Sequence, residues 1–266
     1  MPIIKLKVLN KAGETLSVSD AGEDVCLVHS AAYQPGDWVS LETDTPGLHC
    51  MIQLEDSMMP ACVFLPGCAM SWPIPPEDNR SNYSPKSFSG SCQLLRARLM
   101  TPQEIHTRRN LALNPYDTHG EHGLFPHAEA NVETRNEAVF AARNAIDGLF
   151  MNHSHGTWPY QSWGINRDPN AALTLFFGRT VVIDELRLTL RADFPHDSWW
   201  TQATVEFSDG SREVLTLQKL AAPQAFAIQP RQVEWLILKE LVKAPDPSPF
   251  PALTQLEVFG TEAADE

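Results

Sequence analysis

The sequence is poor in positive charge. Its 266 residues include 20 lysines and arginines against 33 aspartates and glutamates, so the formal net charge is -13. Such a surface would repel a phosphate backbone or an anionic bilayer over most of its area. We therefore expect neither nucleic acid nor a membrane as a partner. The composition does not indicate an oligomeric state.

Long apolar stretches and paired cysteines are also missing. No run of about 18 apolar residues could span a bilayer, and the first nine residues contain no apolar core of a signal peptide. The five cysteines are odd in number and form no CxxC pair. We expect buried reduced thiols and a cytoplasmic protein.

Motifs of common catalytic sites are absent from the sequence. It has no GxSxG, no Walker loop, no HExxH and no GxGxxG that opens a helix. Nothing singles out two carboxylates as a glycosidase pair. A cluster of acidic residues and histidines, from Asp117 to Gly123 together with His127, could supply acids, bases or metal ligands, but its spacing matches no zinc pattern.

Strand patterns dominate both halves of the chain, and the length suits two small domains. In the first half, apolar runs bounded by turn residues predict strands at 3–9, 25–29, 38–43, 48–54, 62–65 and 93–99. We interpret residues 1–100 as an N-terminal β-sandwich domain. Residues 101–109 would be a linker, because Thr101-Pro-Gln-Glu104 has the order of a helix capping box.

The second half, residues 110–266, carries the clearest alternation. In Glu185-Leu-Arg-Leu-Thr-Leu-Arg191 the leucines share one face, as expected of a half-buried antiparallel strand. Ser208-Asp-Gly-Ser211 separates two further strand patterns and predicts a tight hairpin. Strands at 233–241 and 253–259 complete the set. The fold class predicted for the whole chain is all-β, with two β-sandwich domains.

Five motifs in the second half resemble, in order, those of the discoidin or coagulation-factor type C family. They are the opening motif Asn144-Ala-Ile-Asp-Gly148, the apolar strand 173–178, the next strand 182–188, the hairpin 205–210 and the closing strand Gln255-Leu-Glu-Val-Phe-Gly260. The resemblance implies a galactose-binding-like jelly roll and, as the leading function, non-catalytic carbohydrate binding. The fold alone does not fix the ligand.

The same resemblance implies a structural calcium near the opening motif. By that resemblance the Asn144 carbonyl and the Asp147 carboxylate would be ligands. The third position of the family's site falls on Gln255, an amide where a carboxylate is expected, and hard cations favour carboxylate oxygens. Calcium is therefore expected only as a possible structural cofactor, and Asp147 could instead cap the turn.

Two segments have the composition of a sugar site, 153–164 and 191–200. Sugar recognition combines aromatic faces for the apolar side of the ring with polar groups for its hydroxyls. The candidate platforms are Trp158, Trp163, Trp199 and Trp200, and the candidate hydrogen-bonding groups are Gln161, Arg191, Asp193, His196 and Asp197. We predict that these loops bind a saccharide or a glycan-like molecule.

Two other functions stay open. One is a carbohydrate-active enzyme whose site lies at the domain interface and uses the loop from Asp117 to His127. The other is a protein-interaction module that presents the tryptophan loops as an apolar patch.

Overall fold

The computed structural model describes residues 1–120, 123–193 and 198–263, and its regular structure consists mainly of antiparallel strands. The first eight strands are β1 (Ile4–Leu9), β2 (Thr15–Val18), β3 (Asp24–His29), β4 (Trp38–Thr43), β5 (Leu48–Gln53), β6 (Ala61–Leu65), β7 (Ala69–Pro73) and β8 (Gln93–Leu99). The other eight are β9 (Arg109–Asn110), β10 (His127–Ala130), β11 (Trp163–Gly164), β12 (Leu173–Leu190), β13 (Trp200–Phe207), β14 (Arg212–Thr216), β15 (Gln224–Lys243) and β16 (Ala252–Glu262).

The first eight strands form two four-stranded antiparallel sheets. Their orders are β2-β1-β4-β7 and β3-β8-β5-β6. Burial alternates along β3, where Val25 and Leu27 point inward and their neighbours outward, because successive side chains of a strand face opposite sides. The inward residues of both sheets form one hydrophobic cluster, with Trp72 at 1% exposure among its largest members.

The remaining strands form one extended antiparallel system in the order β11-β16-β12-β15-β13-β14, with β10 on β12 and β9 on β16. Strand β12 pairs with β10 and β15 through its first residues, and with β16 and β15 further along. The pairing shifts register between Phe176 and Val181, where Gly178 has a φ of 71°. A second hydrophobic cluster is built on this system.

Short helical segments lie between the strands. The helix α1 (Pro102–His106) begins at Thr101, whose hydroxyl accepts the Glu104 amide, while the Glu104 side chain accepts the Thr101 amide. Three 3₁₀ turns, Thr134–Asn136, Ala138–Phe140 and Ala142–Ile146, precede the opening motif's Asp147. With no more than five residues each, the helices in the described ranges are too short to cross a bilayer.

The segment after α1 packs onto the first two sheets. Tyr116 and Leu124 belong to the first hydrophobic cluster, and the Tyr116 hydroxyl donates to the Met59 carbonyl at 2.9 Å. Phe64 and Phe125 exchange two backbone hydrogen bonds of 2.9 and 3.0 Å. Residues on both sides of 101–109 therefore share one core. The division into domains at that linker stays a prediction.

The all-β antiparallel prediction is confirmed, and so are the capping box and the hairpin at Ser208–Ser211. The sequence did not predict the strands β2, β7, β9, β10 and β11. The expectation of buried thiols is wrong for Cys26, Cys68 and Cys92, which are exposed; Cys50 is buried and Cys62 half-buried.

Candidate functional site

The opening motif forms a closed polar network. Asp147 is 5% exposed, and its carboxylate accepts hydrogen bonds from the Leu149 amide at 2.9 Å and from Gln161 Nε2 at 3.1 Å. The Gln255 carboxamide nitrogen lies 2.7 Å from the Asn144 carbonyl oxygen and 2.6 Å from Asp147 Oδ1. Burial raises the pKa of Asp147 to about 6, although the positive charge of Arg143 and these hydrogen bonds act to lower it.

The residues of this network do not fit a calcium ion. Calcium needs six to eight oxygen ligands, yet Gln255 directs an N–H donor at the two oxygens that would bind the ion. Its carboxamide oxygen is already used by the Gly148 amide, at 3.0 Å. Gln255 thus bridges the carbonyl and the carboxylate where the resemblance implied a cation.

The structure describes only part of the histidine cluster. Glu121 and His122 lie outside the described residues. His127 is fully buried, with Nδ1 2.6 Å from Asp117 Oδ1, and Asp117 also accepts the Ala128 amide. Among the residues that the structure describes, no three His, Cys, Asp or Glu side chains are grouped to hold a metal ion.

The four candidate tryptophans occupy different environments. Trp163 and Trp200 are both 0% exposed and lie in the second hydrophobic cluster, their ring centroids 6.4 Å apart. Neither ring offers a face to a ligand, which corrects their assignment as stacking platforms. Trp199 is half-buried against the same cluster. Trp158 is half-buried too and lines a cavity of about 250 Å³ together with Met58, Tyr83 and Asp147.

The candidate polar groups also lie in different places and have different partners. Gln161 serves the Asp147 network, so its side chain has a structural partner. Arg191 is 1% exposed and donates to the carbonyls of Tyr160 and Ser154; its Nε lies 3.5 Å from Asp193 Oδ1. His196 and Asp197 lie outside the described residues. Of the predicted residues that the structure describes, only Arg191 lines the pocket described next.

That pocket, of about 170 Å³, lies beside β11 and the start of β16, and we call it the arginine pocket. Its lining consists of Thr134, Arg135, Phe140, His155, Ser162, Gly164, Ile165, Asn166, Arg167, Arg191, Phe250, Pro251 and Ala252. Three of these residues are arginines and none is acidic. Burial lowers the pKa of Arg191 from its usual value, and the nearby Asp193 opposes that shift.

Two guanidinium groups of the pocket lie over phenyl rings. The Arg167 guanidinium carbon is 4.4 Å from the ring centroid of Phe250, and that of Arg135 is 5.6 Å from the centroid of Phe140. Cation–π contacts of this kind hold the arginine side chain over the ring and leave its N–H edge available. The N–H groups of Arg135 donate two hydrogen bonds to the Glu137 carboxylate, of 2.7 and 2.8 Å.

The backbone of the pocket is held in an uncommon conformation. Asn166 and Arg167 have φ values of 48° and 63°, and Arg135 and Asn136 have 55° and 54°. Each such residue costs on the order of 1 kcal/mol and persists only where its surroundings fix it. The Thr134 hydroxyl accepts the Asn166 amide at 3.0 Å and so connects the two loops. Gly164 allows this approach, since a Cβ there would lie 2.6 Å from the Thr134 hydroxyl oxygen.

A wider cleft of about 630 Å³ runs between the first sandwich and the loops of the second half. His119, Glu133, Glu137 and Arg143 are among its lining residues, facing Pro75 and Tyr83. His119 is largely exposed, and its Nδ1 lies 3.8 Å from Glu133 Oε1. One member of the predicted histidine cluster therefore does face the cleft between the first sandwich and the loops of the second half.

Sequence reasoning missed most of the arginine pocket. Arg135, Phe140, Arg167 and Phe250 come from three separated segments, none of which has a composition typical of a sugar site. A local signal existed at Asn136 and Asn166, because Asn favours the left-handed region.

No protein-family model matches the sequence. No curated protein matches it either. Among solved structures, a chitosan-binding module from a chitosanase/glucanase of Paenibacillus sp. IK-5 matches with a TM-score of 0.40 and 17% identity, over 57% of this chain and 99% of that one. A family 32 carbohydrate-binding module of C. perfringens NanJ, in complex with galactose, matches with a TM-score of 0.38 and 17% identity, over 50% of this chain and 91% of that one. A Streptococcus pneumoniae fucose-binding module matches with a TM-score of 0.41 and 11% identity, over 57% of this chain and 96% of that one. Ligands and residue roles do not transfer at these values.

Proposed function

We propose that this chain is a carbohydrate-binding protein without catalytic activity, and that it holds a saccharide in the arginine pocket. The observation that supports the proposal is the pocket itself. It combines phenyl rings with guanidinium, amide and hydroxyl donors on a rigid β-sandwich. A sugar ring needs both kinds of group, because its hydroxyls require hydrogen bonds while its C–H faces prefer apolar contact.

The size of the pocket favours a single sugar residue. At about 170 Å³ it is smaller than the roughly 300 Å³ at which pockets for drug-sized ligands begin. Phe250 is 38% exposed and Phe140 half-buried, so part of each ring remains open to a ligand. We propose that a terminal or free monosaccharide unit enters the pocket, with any further units of a glycan outside it.

The fixed loop backbone supports binding further. Both left-handed loops are tied to each other through Thr134 and Asn166 before any ligand arrives. A site that is already ordered loses less conformational entropy on binding, which leaves more of the contact energy as affinity. Strained residues held by their surroundings are found preferentially at ligand sites.

A glycan array followed by calorimetry with the best hit tests the proposal. Phe250→Ala should weaken binding about tenfold or more, equivalent to about 1.4 kcal/mol of lost apolar contact. Phe150→Ala is the matched control, since Phe150 is 40% exposed and does not line the pocket. The proposal is wrong if no saccharide binds, or if both variants bind like the parent.

A second candidate function is catalysis on a carbohydrate in the interdomain cleft. It is supported by the position of His119, whose imidazole lies beside Glu133 at the surface of that cleft. General acid–base chemistry requires groups of this kind within reach of a bound substrate. A hydrolase or isomerase screen of the parent, repeated with His119→Ala, tests it; activity that persists in the variant would exclude His119 from the chemistry.

A further inference from the structure

We infer that the saccharide of the arginine pocket is an acidic sugar, one whose ring carries an anionic oxygen group such as a carboxylate. This inference rests on the proposed function and adds the charge class of the ligand to it. It comes from the charge of the pocket, the environment of two arginines and the shape of their guanidinium groups.

The charge of the pocket is opposite to that of the chain. The whole sequence has 33 acidic and 20 basic residues, yet the described residues that line the pocket include three arginines and no carboxylate. Arg135 is exposed and ion-paired with Glu137, so the positive charge that the pocket leaves for a ligand comes from Arg167 and Arg191. A neutral sugar would gain little from this charge, whereas an anion would be attracted by it.

Arg191 is the buried charge of the site. At 1% exposure it binds the neutral carbonyls of Tyr160 and Ser154, and among the described residues it pairs with the Asp193 carboxylate, 3.5 Å from Nε. Its Nε makes no hydrogen bond with any other described residue. A buried charge is costly unless it is paired and hydrogen-bonded, and here the pairing is long and incomplete.

Arg167 is the cation best placed to contact a ligand. Its guanidinium lies over Phe250, and it forms no hydrogen bond or ion pair with the other residues that the structure describes. The left-handed backbone conformation of Asn166 and Arg167 fixes the direction in which the Arg167 side chain leaves the backbone. Arg135, by contrast, is already neutralised by Glu137. Arg167 and Arg191 therefore supply the positive charge that a ligand can use.

A guanidinium favours an oxyanion in particular. Its planar set of N–H donors matches the two oxygens of a carboxylate and also binds sulfate or phosphate, and these charge-assisted bonds are about twice as strong as neutral ones. The uronic acids present a carboxylate directly on the sugar ring, next to C–H faces that can contact Phe140 and Phe250. They are the ligands that this combination of groups suits best.

Calorimetry with matched sugar pairs tests the inference: galacturonate against galactose, glucuronate against glucose, and glucose 6-phosphate as a second anionic arm. We expect the anionic member to bind at least about tenfold more tightly than its neutral parent at roughly 50 mM salt, and the advantage to shrink at roughly 500 mM. Whichever binds more tightly, the uronic acids or glucose 6-phosphate, identifies the anionic group as a carboxylate or a phosphate.

Arg167→Gln should remove most of that preference, and Arg167→Lys should retain part of it because the charge remains but the planar fork does not. Arg80→Gln is the control, since Arg80 also stacks on a phenyl ring, 5.1 Å above Phe88 of the first sandwich. If neutral and anionic sugars bind equally, and Phe250→Ala still weakens both, the inference fails and the proposed function stands. If no sugar binds at all, both fail.

Discussion

The carboxamide nitrogen of Gln255 lies 2.6 Å from Oδ1 of Asp147 and 2.7 Å from the carbonyl oxygen of Asn144. One side chain thus connects the closing strand to the opening motif of the second half. Because its N–H groups occupy the position between these oxygens, we expect calcium to have no effect on the protein. The thermal midpoint should be the same with excess chelator and with millimolar calcium.

Gln255→Glu should reverse that behaviour. The new carboxylate would face Asp147 and two carbonyl oxygens, so without metal we expect the free energy of unfolding to fall by about 3 kcal/mol. The same oxygens could then bind calcium, and saturation at about 100 times the dissociation constant would restore about 2.7 kcal/mol. Gln232→Glu, on an exposed position of β15, is the control and should show neither effect. Calcium stabilisation of the parent would contradict this prediction.

Asp147 should make stability depend on pH between about 4 and 6. Burial raises its folded pKa from 3.8 to about 6, so within that window the folded protein binds the proton that the unfolded chain has released. Its contribution is therefore fully present below pH 4 and is lost as the pH rises through 6. Two pKa units correspond to about 3 kcal/mol.

Denaturant unfolding of the parent and of Asp147→Asn, measured from pH 4 to 7, isolates this contribution. The variant cannot titrate at this position, so the difference in free energy between the two proteins should change across the window and become constant above it. Curves that stay parallel throughout would mean that Asp147 titrates at its ordinary pKa.

Glu262 forms an ion-pair cluster with two arginines. Its side chain is 6% exposed and lies 2.5 Å from Arg109 and 2.6 Å from Arg179. Burial opposes ionisation, but Arg179, His49 and Arg109 hold the pKa of Glu262 below its usual value. Its contribution is thus present above about pH 4.5 and is lost as the pH falls through the lowered pKa.

Glu262→Gln should cost about 3 kcal/mol at pH 7, since two largely buried guanidinium groups lose their carboxylate. Glu42→Gln breaks the more exposed pair with Lys7 and should cost less than about 1 kcal/mol. Chemical unfolding of both variants at pH 7 makes the comparison. Equal losses of unfolding free energy in the two variants would show that burial does not strengthen the ion pairs of Glu262.

Gly260 is required by close packing of the backbone. A Cβ at this position would lie 2.0 Å from the Val182 carbonyl oxygen and 2.9 Å from Ile183 Cα, atoms that cannot rotate away. We expect Gly260→Ala to lower the free energy of unfolding by about 3 kcal/mol or more. Gly67→Ala has no neighbour within 4 Å of the added carbon and should be nearly neutral. A thermal melt of Gly260→Ala that overlays the parent would refute this reading of the closing strand.

Features that depend on neighbours in sequence could be predicted, and features that depend on distant residues could not. The Asp-Gly hairpin and the capping box at Thr101 are local, so their residue types were sufficient. Strand β2 was missed because its residues are mostly exposed and show no alternation. Alternation arises only where one face of a strand is buried.

The candidate site shows the same limit. A tryptophan-rich composition identified segments near strand ends but not the direction of their rings, and Trp163 and Trp200 point into the core. The arginine pocket joins Arg167 to Phe250, which are far apart in sequence and meet only after folding. Arg191 was predicted for its chemistry, but the alternation of 185–191 places it on the polar face opposite the leucines, so the sequence did not indicate its burial.

Tyr116 should make the two halves of the chain unfold together. It follows the linker, is 1% exposed, and packs edge-on against Trp72 of the first sandwich with ring centroids 5.4 Å apart. Tyr116→Ala should cost about 3 to 5 kcal/mol through the cavity it leaves, whereas Tyr116→Phe should cost about 1 kcal/mol through the lost hydrogen bond to Met59. Tyr116 belongs to the first core, while the strands before and after it, β9 and β10, belong to the sheet of the second half. Calorimetry should therefore show one transition that moves as a whole in both variants. Two transitions, of which only one shifts, would mean that the halves fold independently.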